Sequence, residues 1–369
     1  MLKSTLPRLC CPQLHREKQC LGALQIKDES APDEITYGTL LCSVCESEYP
    51  IFEGVAILVP DVRAYLLTHV KGISKFVADE HIPLEYLEDY QDYRNEIEEE
   101  HIEEDLESDR VNALYLMNHY LSVSGAETQW WKSVPESESP LITELIEKYW
   151  DHGPLSVVPA WVPEHSAVIE LGCGVGGLYR KLKKHSDFYL GVDSSFQSIL
   201  IARHLNLGTP YRGELRYPGD LLYGNLSQKM EVSIESGGQR EGKLQVDFVV
   251  GEIDAVPAIH GGFDVSISLN AIDMLDEPKR LPEAQARVIK SGGLCIQSGP
   301  YIWHEKIARG LRGRAPRDTK DSASVVEWLY RKSGFKIEDS ERHIPWLFFK
   351  HLRQIEIYSV HAFVAKKET

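Results

Sequence analysis

The sequence predicts an α/β protein whose core is a mostly parallel sheet, and three observations carry that prediction. Over residues 166–369, short apolar runs alternate with helical stretches, the pattern of successive strand–helix units. The first run, 167–171, contains Glu170 and breaks into Gly172, Gly174, Gly176 and Gly177 just before a helix start at Leu178-Tyr179-Arg180. Such a turn permits positive φ and lets a ligand press on bare backbone beside the free N–H groups of a helix N-terminus. Finally, the chain closes on two alternating runs, 335–338 and 355–364, which suit an antiparallel hairpin at the sheet edge.

The remaining core strands are expected at 188–192, 246–250, 263–269 and 293–298. Open sheets of this kind bind ligands beyond the carboxyl ends of their strands. The residues there are Glu170, Asp193, Glu252, Asn270 and the Gly299-Pro300-Tyr301 segment. Asp193 follows Gly172 by 21 residues, where a carboxylate can accept from both hydroxyls of a ribose. Glu252 is placed to accept from an adenine amino group, with Ile253 packing on the ring. Gly172, Gly174 and Gly177 alone would also satisfy a dinucleotide fingerprint. Glu170 points the other way, because a carboxylate there suits a cationic amine better than a pyrophosphate.

Composition narrows the class. A chain of 369 residues, 43% apolar and 26% charged, can form two domains or one large domain with an appendage. The net charge of −16 argues against broad binding to nucleic acid or anionic membrane. No run approaches 18 apolar residues, and the first residues lack the apolar stretch of a signal peptide, so a cytoplasmic protein is expected. Five of the seven cysteines fall between Cys10 and Cys45, a clustering that reads as a metal site rather than a disulfide framework.

Three regions are expected: 1–61, 62–165 and 166–369. In the first, Cys42-Ser43-Val44-Cys45 places two thiolates on one turn facing a single metal. The upstream partner reads Cys11-Pro12-Gln13-Leu14, with leucine where a fourth ligand would stand, leaving Cys10, His15 or Cys20 to supply it. With the following Tyr49-Pro50-Ile51-Phe52-Glu53-Gly54, this region resembles the zinc-ribbon module that activates certain tRNA and translation-factor methyltransferases. That resemblance implies zinc on Cys11, Cys42 and Cys45. A ribbon that has lost its metal and stands on its apolar strand 55–59 is the other reading. The second region is helical and acidic, with thirteen acids and one arginine over 85–109. Within it, Tyr115, His119 and Tyr120 resemble a helix that fused methyltransferases place over their cofactor.

Residues 166–369 resemble the class I S-adenosylmethionine-dependent methyltransferases, which have a Rossmann-like seven-stranded sheet with its last strand inserted antiparallel. Gly251-Glu252-Ile253-Asp254-Ala255-Val256-Pro257 and the helix–turn–strand pattern of 284–294 carry the likeness beyond the glycine turn. The resemblance implies Glu170, Gly172, Gly174 and Gly176 at the methionine end, Asp193 on the ribose, Glu252 and Ile253 at the adenine, and Asn270 beside the sulfonium. An Asn-Pro-Pro-Tyr element is missing after 263–269, which disfavours methylation of a base amino group. The expected reaction is methyl transfer to O or N of a small molecule. A protein or RNA acceptor docked on the ribbon, and a non-catalytic binder, are the alternatives. Candidate bases are His304 first, then Tyr301 and Asp273. Residues 208–245 are too long for an ordinary connection and read as an insertion. Lys306, Arg309, Arg312, Arg314, Arg317 and Lys320 form the dense basic cluster.

Overall fold

The computed structural model describes residues 1–16, 18–27, 33–100, 112, 114–120, 140–207, 211–217, 228–234, 245–351 and 354–368. Its central feature is a mixed sheet of eleven strands: β1 Leu24–Ile26, β2 Gly38–Cys42, β3 Glu48–Phe52, β4 Val55–Leu58, β5 Ser166–Leu171, β6 Ser186–Asp193, β7 Gln245–Gly251, β8 Phe263–Leu269, β9 Ile289–Gly299, β10 Phe335–His351 and β11 Gln354–Lys367. They lie in the order β10-β11-β9-β8-β5-β6-β7-β4-β3-β2-β1. The seven strands from β10 to β7 are the expected core. Strands β5 to β9 are mutually parallel, and β11 runs antiparallel between β9 and β10. Every residue of β5 is buried, which is why a continuous apolar run and not an alternating one announces this strand.

The expected seven strands are extended by four more. β4 pairs in parallel with β7 through Val250↔Ile57 and Gly251↔Leu58, and β1 to β3 continue it as an antiparallel meander. All four residues of β4 are buried. Its apolar run thus serves as an inner strand of a shared sheet, and the cysteine region continues that sheet.

A buried polar cluster fastens the first residues to this sheet. Asp247, in β7, accepts from the Leu2 amide (2.8 Å) and the Thr5 hydroxyl (2.9 Å), and it pairs with the Arg203 guanidinium. Asp247 and Arg203 are both buried, so each compensates a charge that would be costly alone.

Helices cover both faces. Asp61, Ser195 and Asp321 cap α1 (Val62–Thr68), the helix Phe196–Asn206 and the helix Ser322–Lys332 by accepting from Ala64, Ser198 and Ser324 amides. Helices also occupy Leu84–Glu100 and Pro140–Tyr149, as the second region predicts. Its acidic stretch 101–109 lies outside the described residues. The insertion forms an antiparallel pair, Tyr211–Tyr217 with Gln228–Ile234.

Candidate functional site

The carboxyl ends of β5 to β9 open into a cleft of about 1210 Å³. At its centre the chain leaves β5 through Gly172 (φ +76°) and Gly174 (φ +50°), both lining the cleft. A Cβ built on Gly174 would meet nothing within 4 Å, so the missing side chain leaves open space against bare backbone. Gly176 (φ +74°) differs: its Cβ would lie 2.8–2.9 Å from Phe248, Ala202 and Asn206, and it is absent from the cleft wall. The structure therefore places Gly176 as a packing glycine at the start of the helix Gly177–Leu182, turned away from the cleft that the sequence assigned it to.

Asp193 ends β6 and accepts from the Gly174 amide (2.8 Å) and the Ser195 amide (2.9 Å). A carboxylate offers about four lone-pair positions, so acceptor capacity remains for a ligand. Burial raises its pKa, opposed by those backbone N–H groups. Glu170 lines the same wall and is buried; burial pushes its pKa up to about 8, although the Tyr189 hydroxyl donates to it. Glu252 and Ile253 follow β7 and also face the cleft. Asn270, in the left-handed conformation at φ +55°, accepts from the Ser298 hydroxyl (3.1 Å) and lines the wall below β8. Bare backbone at Gly174, a carboxylate with spare acceptors beside it and a buried acid fit a ligand carrying a ribose and a cationic amine.

The three candidate bases separate. Asp273 lines the cleft and is nearly buried; its carboxylate accepts the Ile302 amide at 2.6 Å, and burial raises its pKa. Tyr301 adopts φ +59°, which turns its ring out of the cleft wall. There it stacks on Trp303, with its hydroxyl 2.8 Å from His361 Nδ1. His304 is exposed at the N-cap of the helix Glu305–Arg314 and does not line the cleft. The sharp turn at Pro300–Ile302 causes this split: it presents Pro300 and Ile302 to the cleft and carries the following residues away. The helix Glu305–Arg314, which carries much of the basic cluster, has no buried residue.

A histidine from elsewhere does reach the cleft. Residues 114–120 form a helix laid across the glycine turn. Tyr120 donates to the Val175 carbonyl and accepts from Asn206 (3.0 Å), while Asn112 bonds Gln197 (3.2 Å) and Ser198 (3.1 Å). Between these anchors Tyr115 and His119 line the cleft. His119 Nδ1 is buried with no hydrogen-bond partner among the described residues, and burial lowers the imidazole pKa to about 4, so it is neutral at pH 7.

The far wall comes from β10 and β11 through Trp346, Phe348, Lys350 and Tyr358. Sequence reasoning placed only a short strand at 335–338. The signal was available in Trp346-Leu347-Phe348, since a strand throws residues two apart onto one face.

Outside the cleft, the sulfur atoms of Cys11, Cys20, Cys42 and Cys45 all lie within 4.8 Å of one another. Cys11–Cys45 and Cys20–Cys42 are 3.5 and 3.7 Å apart, far beyond a disulfide and close to the ~3.8 Å edge of a tetrahedron with ~2.3 Å metal–sulfur bonds. The amides of Val44 and Cys45 point at Cys42 Sγ from 3.4 and 3.5 Å, the orienting contacts expected around a thiolate ligand. This group could hold a metal ion. Of the three candidates for the fourth ligand, the fold brings in Cys20.

A methyltransferase-domain family matches residues 211–297. The chain therefore carries a methyltransferase domain and is an S-adenosylmethionine-dependent methyltransferase. It is similar to a chain from the Haloferax volcanii complex between the Trm112 methyltransferase activator and a putative methyltransferase, with 17% identity over 63% of this chain and 96% of that one and a TM-score of 0.39. It is also similar to a possible histamine N-methyltransferase from Thermotoga maritima, with 18% identity over 58% and 87% of the two chains and a TM-score of 0.33. No curated protein matches the chain.

Proposed function

We propose that this enzyme transfers a methyl group from S-adenosylmethionine to an oxygen or nitrogen atom of a small molecule. One observation carries the proposal: one recessed cleft is lined both by the glycine turn with its acids and by the largely aromatic wall of β10 and β11. The first of these suits the cofactor. Glu170 would face the methionine amine, Asp193 the ribose, and Glu252 with Ile253 the adenine. S-adenosylmethionine supplies a methyl group on a sulfonium, so that an acceptor lone pair can form the new bond to carbon as the carbon–sulfur bond breaks. The chain's own task is then alignment and removal of the acceptor's proton.

Asp273 and His119 are cleft groups able to take that proton, and both are held in place before any ligand arrives. Asp273→Asn is expected to lower kcat by about 10²-fold or more while leaving the affinity for S-adenosylhomocysteine unchanged. His304→Ala, outside the cleft, is expected to turn over normally. The acceptor class is tested by incubating the enzyme with methyl-labelled cofactor and separate metabolite, protein and RNA fractions. Label in the metabolite fraction is expected; label confined to RNA or protein would overturn the small-molecule reading.

The four thiols are proposed to hold zinc, with the ribbon stabilised by the ion as small metal modules are. Metal analysis of protein purified without chelator should find about one zinc per chain. Its absence, with all four thiols freely titratable, would mean that the ribbon stands without zinc.

A further inference from the structure

The cleft's volume of about 1210 Å³ exceeds the roughly 300–1,000 Å³ of an ordinary small-ligand pocket, which leaves room for an acceptor beside the cofactor. The walls of that remaining space are unlike those at the glycine turn. Trp346 and Phe348 project from one face of β10, their rings 5.4 Å apart at 66°. Tyr358, opposite Trp346 in the strand pairing, lies 5.2 Å from the indole, and Tyr115 meets Phe348 edge-on at 6.0 Å. Met274 and Ile302 also line the cleft, yet stand 83% and 62% exposed. Two large apolar side chains thus stand uncovered in a cleft that four aromatic rings also line.

From this arrangement we propose that the methyl acceptor is a planar aromatic molecule, bound with its ring between the Trp346–Phe348 wall and the Met274–Ile302 pair. This rests on the cofactor assignment above only for the identity of the neighbouring ligand. The edge-to-face rings already present hold Trp346 and Phe348 in fixed orientations, so a flat guest finds its partners prepared. The mixed aromatic and thioether lining matches an aromatic guest better than a saturated one, because rings and sulfur both favour the edge or face of a π-system.

The test is equilibrium binding of 2-naphthol and of indole, each against its fully saturated counterpart, to the full chain with and without S-adenosylhomocysteine. At least one arene is expected to bind about tenfold tighter than its saturated form, the effect of two ring contacts at roughly 0.7 kcal/mol each. In Trp346→Leu that preference should fall to about twofold or less, with S-adenosylhomocysteine affinity unchanged as evidence of an intact fold. Phe348→Leu serves the same purpose if the tryptophan variant is unstable. Equal binding of arene and saturated ring, no arene binding, or a preference that survives in both variants overturns the proposal. Failure of S-adenosylhomocysteine to bind would instead sink the cofactor assignment, and the arene preference measured without it would still decide this one.

Discussion

Gly174 and Gly176 stand two residues apart in one turn, both at positive φ, and require glycine for different reasons. At Gly176 a methyl group would collide with Phe248, Ala202 and Asn206. Gly176→Ala therefore combines left-handed strain with overpacking and should cost about 3 kcal/mol in urea unfolding. Gly174 has no such neighbours, so Gly174→Ala should cost only the strain, about 1–2 kcal/mol, but intrude where ligand meets backbone. Calorimetry should show S-adenosylhomocysteine binding weakened in Gly174→Ala and retained by the folded fraction of Gly176→Ala; the reverse order contradicts the site as drawn. Glu170 gives a pH signature at the same turn. With its pKa near 8 it is mostly protonated at pH 7, and a cationic amine favours the ionised form. Affinity for S-adenosylhomocysteine should rise by up to about tenfold per pH unit from pH 6.5 towards 8, and Glu170→Gln should remove the slope. Without ligand the sign is opposite for stability. Between the ordinary 4.5 and about 8 the native state holds the proton that the unfolded state has lost, so stability falls as pH rises through that window.

The elements were legible where their information is local. Apolar runs set β5 to β9 to within a few residues, and the strand ends then placed Glu170, Asp193, Glu252 and Asn270 on one rim, because a parallel sheet aligns its carboxyl ends. What escaped depends on pairing between distant segments. Cys10, His15 and Cys20 were equal candidates by spacing, and only the β1–β3 meander brings Cys20 to Cys42. His304 follows the end of β9 in sequence and was the natural base, but a left-handed residue at Tyr301 redirects the chain. The roof helix over residues 114–120 could be placed only by resemblance, since its anchors, Val175 and Asn206, lie far along the chain. Those anchors carry their own prediction. Tyr120→Phe deletes the donor to Val175 and the acceptor for Asn206, both buried, and should cost about 1–3 kcal/mol. Because Tyr115 and His119 ride on the same helix, the variant should also weaken S-adenosylhomocysteine binding; unchanged binding would mean that this helix plays no part in holding the ligand.

Across the whole molecule, the cysteine region and the methyltransferase core share one sheet, and the joint is β4 against β7. That joint matters for the site because β7 runs directly into Glu252 and Ile253, the proposed adenine end of the cleft. Asp247 holds it from below by receiving Leu2, Thr5 and Arg203 together. Removing only the cation leaves a buried carboxylate with three neutral donors, the Leu2 and Phe248 amides and the Thr5 hydroxyl. Arg203→Met should therefore destabilise the protein by about 3–5 kcal/mol. Combining it with Asp247→Asn removes the stranded charge yet keeps a carbonyl able to accept from the Leu2 amide. The double variant should be more stable than Arg203→Met alone, with a coupling energy of about 1–3 kcal/mol in a double-mutant cycle measured by denaturant unfolding. The joint also predicts which function fails first. If β4 and β7 act as one unit, Arg203→Met should loosen the adenine end, so that adenosine competes less well for the site while binding of 2-naphthol at the aromatic end persists. Equal loss of both would show that the cleft responds to stability as a whole and not through this joint.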